Sequence, residues 1–174
     1  MITRRELLKW GLIGGAGLVT GCSSLSLTAK ESQPFSDTDH TYRFLTEEDR
    51  IIVAAIAPVM LAGALPSGSR DKLREVVRGV DYAISLLTDA TREELRDLFG
   101  VLGNASGRVV LAGVWSHWSH ARPNDIEEFL DEWRGAYLDL LRQGYLGLHE
   151  LIMAAWYGNP ASWEAVGYPG PPRI

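Results

Sequence analysis

The stretch from Pro123 to Gly158 constrains the fold more than any other. Its apolar residues Ile126, Leu130, Trp133, Tyr137, Leu140, Gly144, Leu148, Leu151 and Ala155 advance by three or four positions at every step, which is the period of one helix face. Pro123-Asn124 followed by Glu127 reads as a helix start, and Gly158-Asn159-Pro160 as its stop. A single helix over this run would have about 34 residues and, at 1.5 Å per residue, a length of about 50 Å. Such a rod is expected to form the backbone of its domain.

The preceding segments are helical too. Thr46 stands at an N-cap, with Glu47, Glu48 and Asp49 in the first turn and Asp49 placed to complete a capping box. Ile51 to Leu61 is apolar nearly all round, the pattern of a buried helix, with a kink expected at Pro58. Asp71 opens a second helix carrying Leu73, Val76, Val77, Val80, Ile84 and Leu87 on one face, and Thr91 with Glu94 reads as the capping box of a third. Asn104 to Gly107 interrupts it, and Val109 to about Trp118 reads as a further helical piece. No segment alternates as a strand does. The expected fold is all-α: an irregular bundle of four to five helices over residues 44–174, with one long C-terminal helix and an extended Pro/aromatic tail.

Composition narrows the functional classes. The chain has 174 residues, 46% hydrophobic and 22% charged, which suits one globular domain. Seventeen Lys and Arg against twenty-two Asp and Glu give a net charge of −5, the wrong sign for a nucleic-acid partner. One cysteine rules out an internal disulfide and a multi-cysteine zinc site.

That cysteine belongs to the N-terminal segment. Thr3-Arg4-Arg5-Glu6-Leu7-Leu8-Lys9 resembles the twin-arginine export signature, departing from it only in having Leu7 where Phe is commonest. The Gly-rich apolar run that follows, of about eleven residues, is well short of the roughly 20 that span a bilayer. Val19-Thr20-Gly21-Cys22 then resembles a bacterial lipobox, so residues 1–21 are expected to be a cleaved signal and Cys22 a lipidated first residue. Ser23 after it favours the outer membrane. Residues 22–43, polar and without apolar period, read as lipid attachment and flexible tether. Removal of residues 1–21 leaves fourteen basic and twenty-one acidic residues, a net charge of −7.

Candidate chemistry is sparse. His117 and His120 stand three apart and, on a helix, would share a face; with His149 or a carboxylate they would make a metal or haem site. The other reading is an amphipathic segment whose Trp115 and Trp118 pack inward. Glu127, Glu128, Asp131 and Glu132 read as a solvated helix face beside Arg134. No nucleophile elbow and no dinucleotide-binding glycine pattern occurs, so no catalytic residue and no cofactor is expected in this chain. Trp156, Tyr157, Trp163, Tyr168, Pro169, Gly170 and Pro171 crowd the C-terminus. They read either as a tail strapped across its own bundle or as a preformed segment that docks on a partner protein.

Several motifs combine in a recognisable pattern. With the twin-arginine leader go Leu45-Thr46-Glu47-Glu48, Gly113-Val-Trp115-Ser116-x-Trp118, Phe129-Leu130-x-x-Trp133-Arg134 and Tyr145-x-x-Leu148-His149. The closing Trp156-Tyr157-Gly158-Asn159-Pro160-x-Ser162-Trp163-x-x-x-Gly167-Tyr168-Pro169-Gly170-Pro171 is the most specific part. Together they resemble the family of small subunits related to gluconate 2-dehydrogenase subunit 3. The resemblance implies a non-catalytic subunit of a flavin-dependent dehydrogenase of the glucose-methanol-choline type, with FAD in the large partner. It further implies that the folded pair leaves the cytoplasm through the twin-arginine translocase. The lipobox is not a fixed part of that family pattern. A reading of another class is an autonomous periplasmic lipoprotein that transfers electrons through a histidine-based metal or haem site.

Overall fold

A computed structural model of the chain describes residues 35–163 and 167–171. Arg4, Arg5, Cys22 and Ser23, with the rest of the sequence through Pro34, lie outside the described residues. The described residues form six α-helices and no strand, an all-α bundle. The helices are α1 (Glu47–Met60), α2 (Arg70–Ser85), α3 (Asp89–Gly103), α4 (Ala105–Leu111), α5 (Pro123–Arg134) and α6 (Asp139–Tyr157). Single 3-10 turns occur at Trp118–His120 and Pro160–Ser162. No helix among the described residues is long and apolar enough to cross a membrane.

Helix α1 is the centre of the bundle, packed against α2, α3, α5 and α6. Its all-round apolar sequence follows from that position: Ile52, Val53, Ile56 and Ala57 are all buried. The expected capping box is present, with the Asp49 N–H donating to Thr46 Oγ1 at 3.3 Å and the Thr46 N–H to the Asp49 carboxylate at 2.9 Å. Pro58 lies inside the last turn, and the helix ends two residues later. Helices α2 and α6 form the other main pair. A Cβ on Gly79 of α2 would stand 2.9 Å from the Ala155 Cβ of α6, so the two backbones approach as closely as small residues allow.

The expected long C-terminal helix is two helices. Helix α5 stops at Arg134, where the Gly135 N–H closes on the Asp131 carbonyl and the Ala136 N–H on that of Trp133. The chain then turns, and α6 starts at Asp139. The connector carbonyls are satisfied from α6, where the Arg142 guanidinium donates to those of Ala136 at 2.5 Å and Tyr137 at 3.1 Å. Two other starts move as well. Helix α3 begins at Asp89, capped by Thr88, whose Oγ1 accepts the Thr91 N–H at 3.3 Å, so Thr91 lies inside the helix that it was expected to open. Asn104 caps α4 through its bond to the Ser106 N–H at 2.8 Å, so the supposed interruption at Asn104–Gly107 is a helix start, and Leu111 ends that helix.

Phe35 to Arg43, expected to belong to the tether, is fastened to the bundle. The Asp37 carboxylate takes a two-pronged bond from Arg78 of α2, at 2.7 and 2.8 Å, and a 2.6 Å bond from the Tyr42 hydroxyl. Asp81, buried in α2, accepts the backbone N–H groups of Arg43, Phe44 and Leu45 at 2.8 to 2.9 Å. Arg96 of α3 bonds Asp49 and the Phe44 carbonyl and lies over the Phe44 ring. Phe35, Tyr42 and Phe44 also pack against the core.

Candidate functional site

The C-terminal aromatic cluster divides into core and display. Trp156 is 3% exposed and belongs to the core, so it is no surface anchor as it stands. Beyond it the chain folds on itself. The Trp163 indole N–H donates to the Tyr157 carbonyl at 2.8 Å, and the Tyr168 N–H donates to the Trp163 carbonyl at 2.9 Å. The Trp163 and Tyr168 rings meet edge to face at 5.2 Å. Gly167 and Gly170 have φ of +68° and +93°, a left-handed backbone that suits glycine. A Cβ on Gly170 would come 3.2 Å from the Trp163 ring, so the tail is laid flat against the indole. Pro169 and Pro171 flank it in the exposed stretch, and Tyr157 and Tyr168 remain 43% and 47% exposed. Trp163 thus supports the tail, and the two tyrosines are partly exposed.

The histidine pair is not on a helix. His117 caps the 3-10 turn at Trp118–His120. Its Nδ1 receives the Ser119 N–H at 3.3 Å and lies 2.8 Å from the Ser119 hydroxyl, and its Nε2 lies 3.1 and 3.2 Å from the two Glu48 oxygens. Both ring nitrogens therefore have partners within the chain, binding the turn to α1. No group of three or more His, Cys, Asp or Glu placed to hold a metal occurs among the described residues. The tryptophans beside them separate: Trp118 is buried and donates its indole N–H to the Leu102 carbonyl at 2.8 Å, whereas Trp115 is 80% exposed. His149 stacks on Tyr145 within α6.

An open groove of about 650 Å³ runs along α1, walled by Ala54, Ala55, Pro58 and Val59, with Phe35 at one edge and Ile126 of α5 at the other. Its volume suits a small molecule, but its walls are largely apolar. Arg74 at its rim is already bonded to Asp71 and to the Ser36 carbonyl. Arg70, Ser119 and Glu127 also line it. The carboxylates Glu127, Glu128, Asp131 and Glu132 are exposed along α5, as a solvated face requires, with Asp131 paired to Arg134 at 2.9 Å.

The periodicity hid Tyr137, Leu138 and Leu140. Counted in the apolar stripe, Tyr137 and Leu140 should be buried, yet Tyr137 is 97% and Leu140 76% exposed. The signal was Gly135-Ala136, a weak helix terminator that the strong stripe on both sides outweighed. No protein-family profile, no curated protein and no solved structure matches the chain.

Proposed function

We propose that this chain is a non-catalytic small subunit that escorts a folded flavin-dependent dehydrogenase through the twin-arginine pathway and stabilises or anchors it in the periplasm. The observation that carries this reading is the C-terminal tail. Trp163 is bonded, stacked and backed by Gly170, while Tyr157 and Tyr168 stay partly in solvent. Ordering a segment before it binds removes part of the entropy cost of association. Half-exposed tyrosines on a fixed backbone are favoured anchors at protein interfaces.

The leader supports the same reading. A twin-arginine signal suits cargo that travels folded, and the flavin would be held by the partner. Lipid on Cys22 would retain the pair at the membrane, the outer membrane by the Ser23 rule. The histidine-based alternative draws less support, because both nitrogens of His117 are engaged by Ser119 and Glu48. Affinity purification of the tagged full chain, co-expressed with a flavin-dependent dehydrogenase of the glucose-methanol-choline type from the same organism, tests the proposal. A stoichiometric complex carrying flavin absorbance is expected, and isolation of the chain alone would overturn it.

A further inference from the structure

Helix α4 is turned the wrong way for its sequence. It reads Ala-Ser-Gly-Arg-Val-Val-Leu, and burial of apolar surface should send its valines and leucine inward and its arginine to solvent. The reverse is found. Arg108 is the buried residue of the helix, 9% exposed, while Val110 and Leu111 are 78% and 41% exposed. The loop that leaves α4 closes back on the same residue, the N–H groups of Ala112 and Val114 both donating to the Arg108 carbonyl at 3.2 Å. The Leu111 carbonyl is held in turn by the Trp133 indole N–H at 2.8 Å.

The arginine is buried without a partner. Its Nε is sealed from solvent and makes no hydrogen bond, and among the described residues its guanidinium has no ion pair or ring contact. Carboxylates are not scarce. Nineteen Asp and Glu stand against twelve Lys and Arg among the described residues, and eight of those twelve are held in ion pairs by the chain's own carboxylates. Of the twelve, Arg108 is the buried one. A charge taken out of water with nothing to pair it costs stability, and a buried polar group left unsatisfied calls for an explanation in function.

We propose that Arg108 anchors a carboxylate-binding site whose anion comes from outside this chain. With Nε closed off, an anion meets the terminal Nη1 and Nη2, whose parallel N–H groups match the two oxygens of a carboxylate. Charge selects a carboxylate over a phosphate. One guanidinium balances one carboxylate, whereas a phosphate brings about two negative charges and would leave the excess unpaired in a chain that is already acidic. A free small acid and an Asp or Glu side chain of a docked protein present the same group to this fork.

The test titrates the full chain with sodium acetate against sodium chloride at constant ionic strength, reading the arginine Nε–H signals by NMR and the thermal midpoint. Acetate is expected to shift the Arg108 signal saturably and to raise the midpoint, with chloride at least tenfold weaker. Arg108→Met should lose the response yet unfold at the same or a higher urea concentration than the parent, because no internal partner is lost. Arg108→Lys keeps the charge without the fork and should bind acetate at least tenfold more weakly. No saturable response to acetate, tighter binding of inorganic phosphate, full binding by Arg108→Lys, or a large fall in the urea midpoint of Arg108→Met would each overturn the site. Co-expression with the dehydrogenase separates the two sources. A complex weakened at least tenfold by Arg108→Met and by acetate assigns the carboxylate to the flavoprotein, and an undisturbed complex assigns it to a free acid. If no complex forms, the escort reading fails and the acetate result stands by itself.

Discussion

Trp133 and Gly144 are in contact: a Cβ on Gly144 would stand 2.5 Å from Cζ3 and 3.0 Å from Cε3 of the indole. On one continuous helix, residues eleven apart are separated by about 16 Å. The contact therefore requires the chain to reverse between α5 and α6, and it exists because residue 144 has no side chain. Trp133 has little room to yield, since its ring meets Phe129 edge to face at 4.8 Å and its N–H is bonded to Leu111.

Gly144→Ala should destabilise the domain by about 1–3 kcal/mol, the usual cost of overpacking. Urea unfolding followed by tryptophan fluorescence measures it. A midpoint unchanged within error would mean that α5 and α6 are not held together at this contact.

The same contact explains what the sequence made legible and what it did not. Helix periods, the Thr46–Asp49 box and the all-round burial of α1 are local or compositional, so they could be read directly. The α5–α6 break could not. Its apolar residues keep helical spacing across Gly135, and only the distant packing of Gly144 on Trp133 decides that the chain bends. The tether boundary failed for a related reason. Asp37 looks like a linker residue until Arg78, forty-one positions later, is placed against it. In the tail, the sequence located the aromatic display but not the division of labour that buries Trp156 and exposes Tyr168.

Asp81 fixes the entry of the chain into α1 by accepting three backbone N–H groups. Asp81→Asn replaces one acceptor oxygen by a donor and should cost about 1–3 kcal/mol. Hydrogen exchange should show the amides of Arg43, Phe44 and Leu45 losing protection beyond the global change. Equal protection in the variant would show that the segment is held by other contacts.

Acid should weaken the same strap. The bonds from Arg78 hold the Asp37 carboxyl well below the usual carboxylate range; burial opposes this, and the Tyr42 hydroxyl adds to it. A carboxyl with a lowered folded-state pKa contributes stability that is complete above its unfolded value, here 3.8, and is lost as pH falls below it. The Asp37 contribution should thus be constant from pH 7 to about 5 and decline below about pH 4. Asp37→Asn should be less stable than the parent at pH 7, with the difference shrinking in acid. Parallel pH profiles for the two proteins would contradict this.

Trp156 and Tyr168 should separate stability from docking. Trp156→Ala empties a core position and should cost about 3–5 kcal/mol. Tyr168→Ala removes a half-exposed ring and should cost under about 1 kcal/mol, yet weaken dehydrogenase binding at least tenfold. Chemical denaturation and co-purification together check the pair. Full binding by a folded Tyr168→Ala chain would remove the tail from the interface.

Cell fractionation tests the escort role most directly. The dehydrogenase is expressed with this chain intact or carrying Arg4→Lys and Arg5→Lys, and its activity is assayed in cytoplasm and periplasm. The account predicts active dehydrogenase in the periplasm with the intact chain, and retention in the cytoplasm as a folded, flavin-loaded enzyme when both arginines are replaced. Periplasmic activity that persists with both arginines replaced, or with the chain deleted, would contradict it.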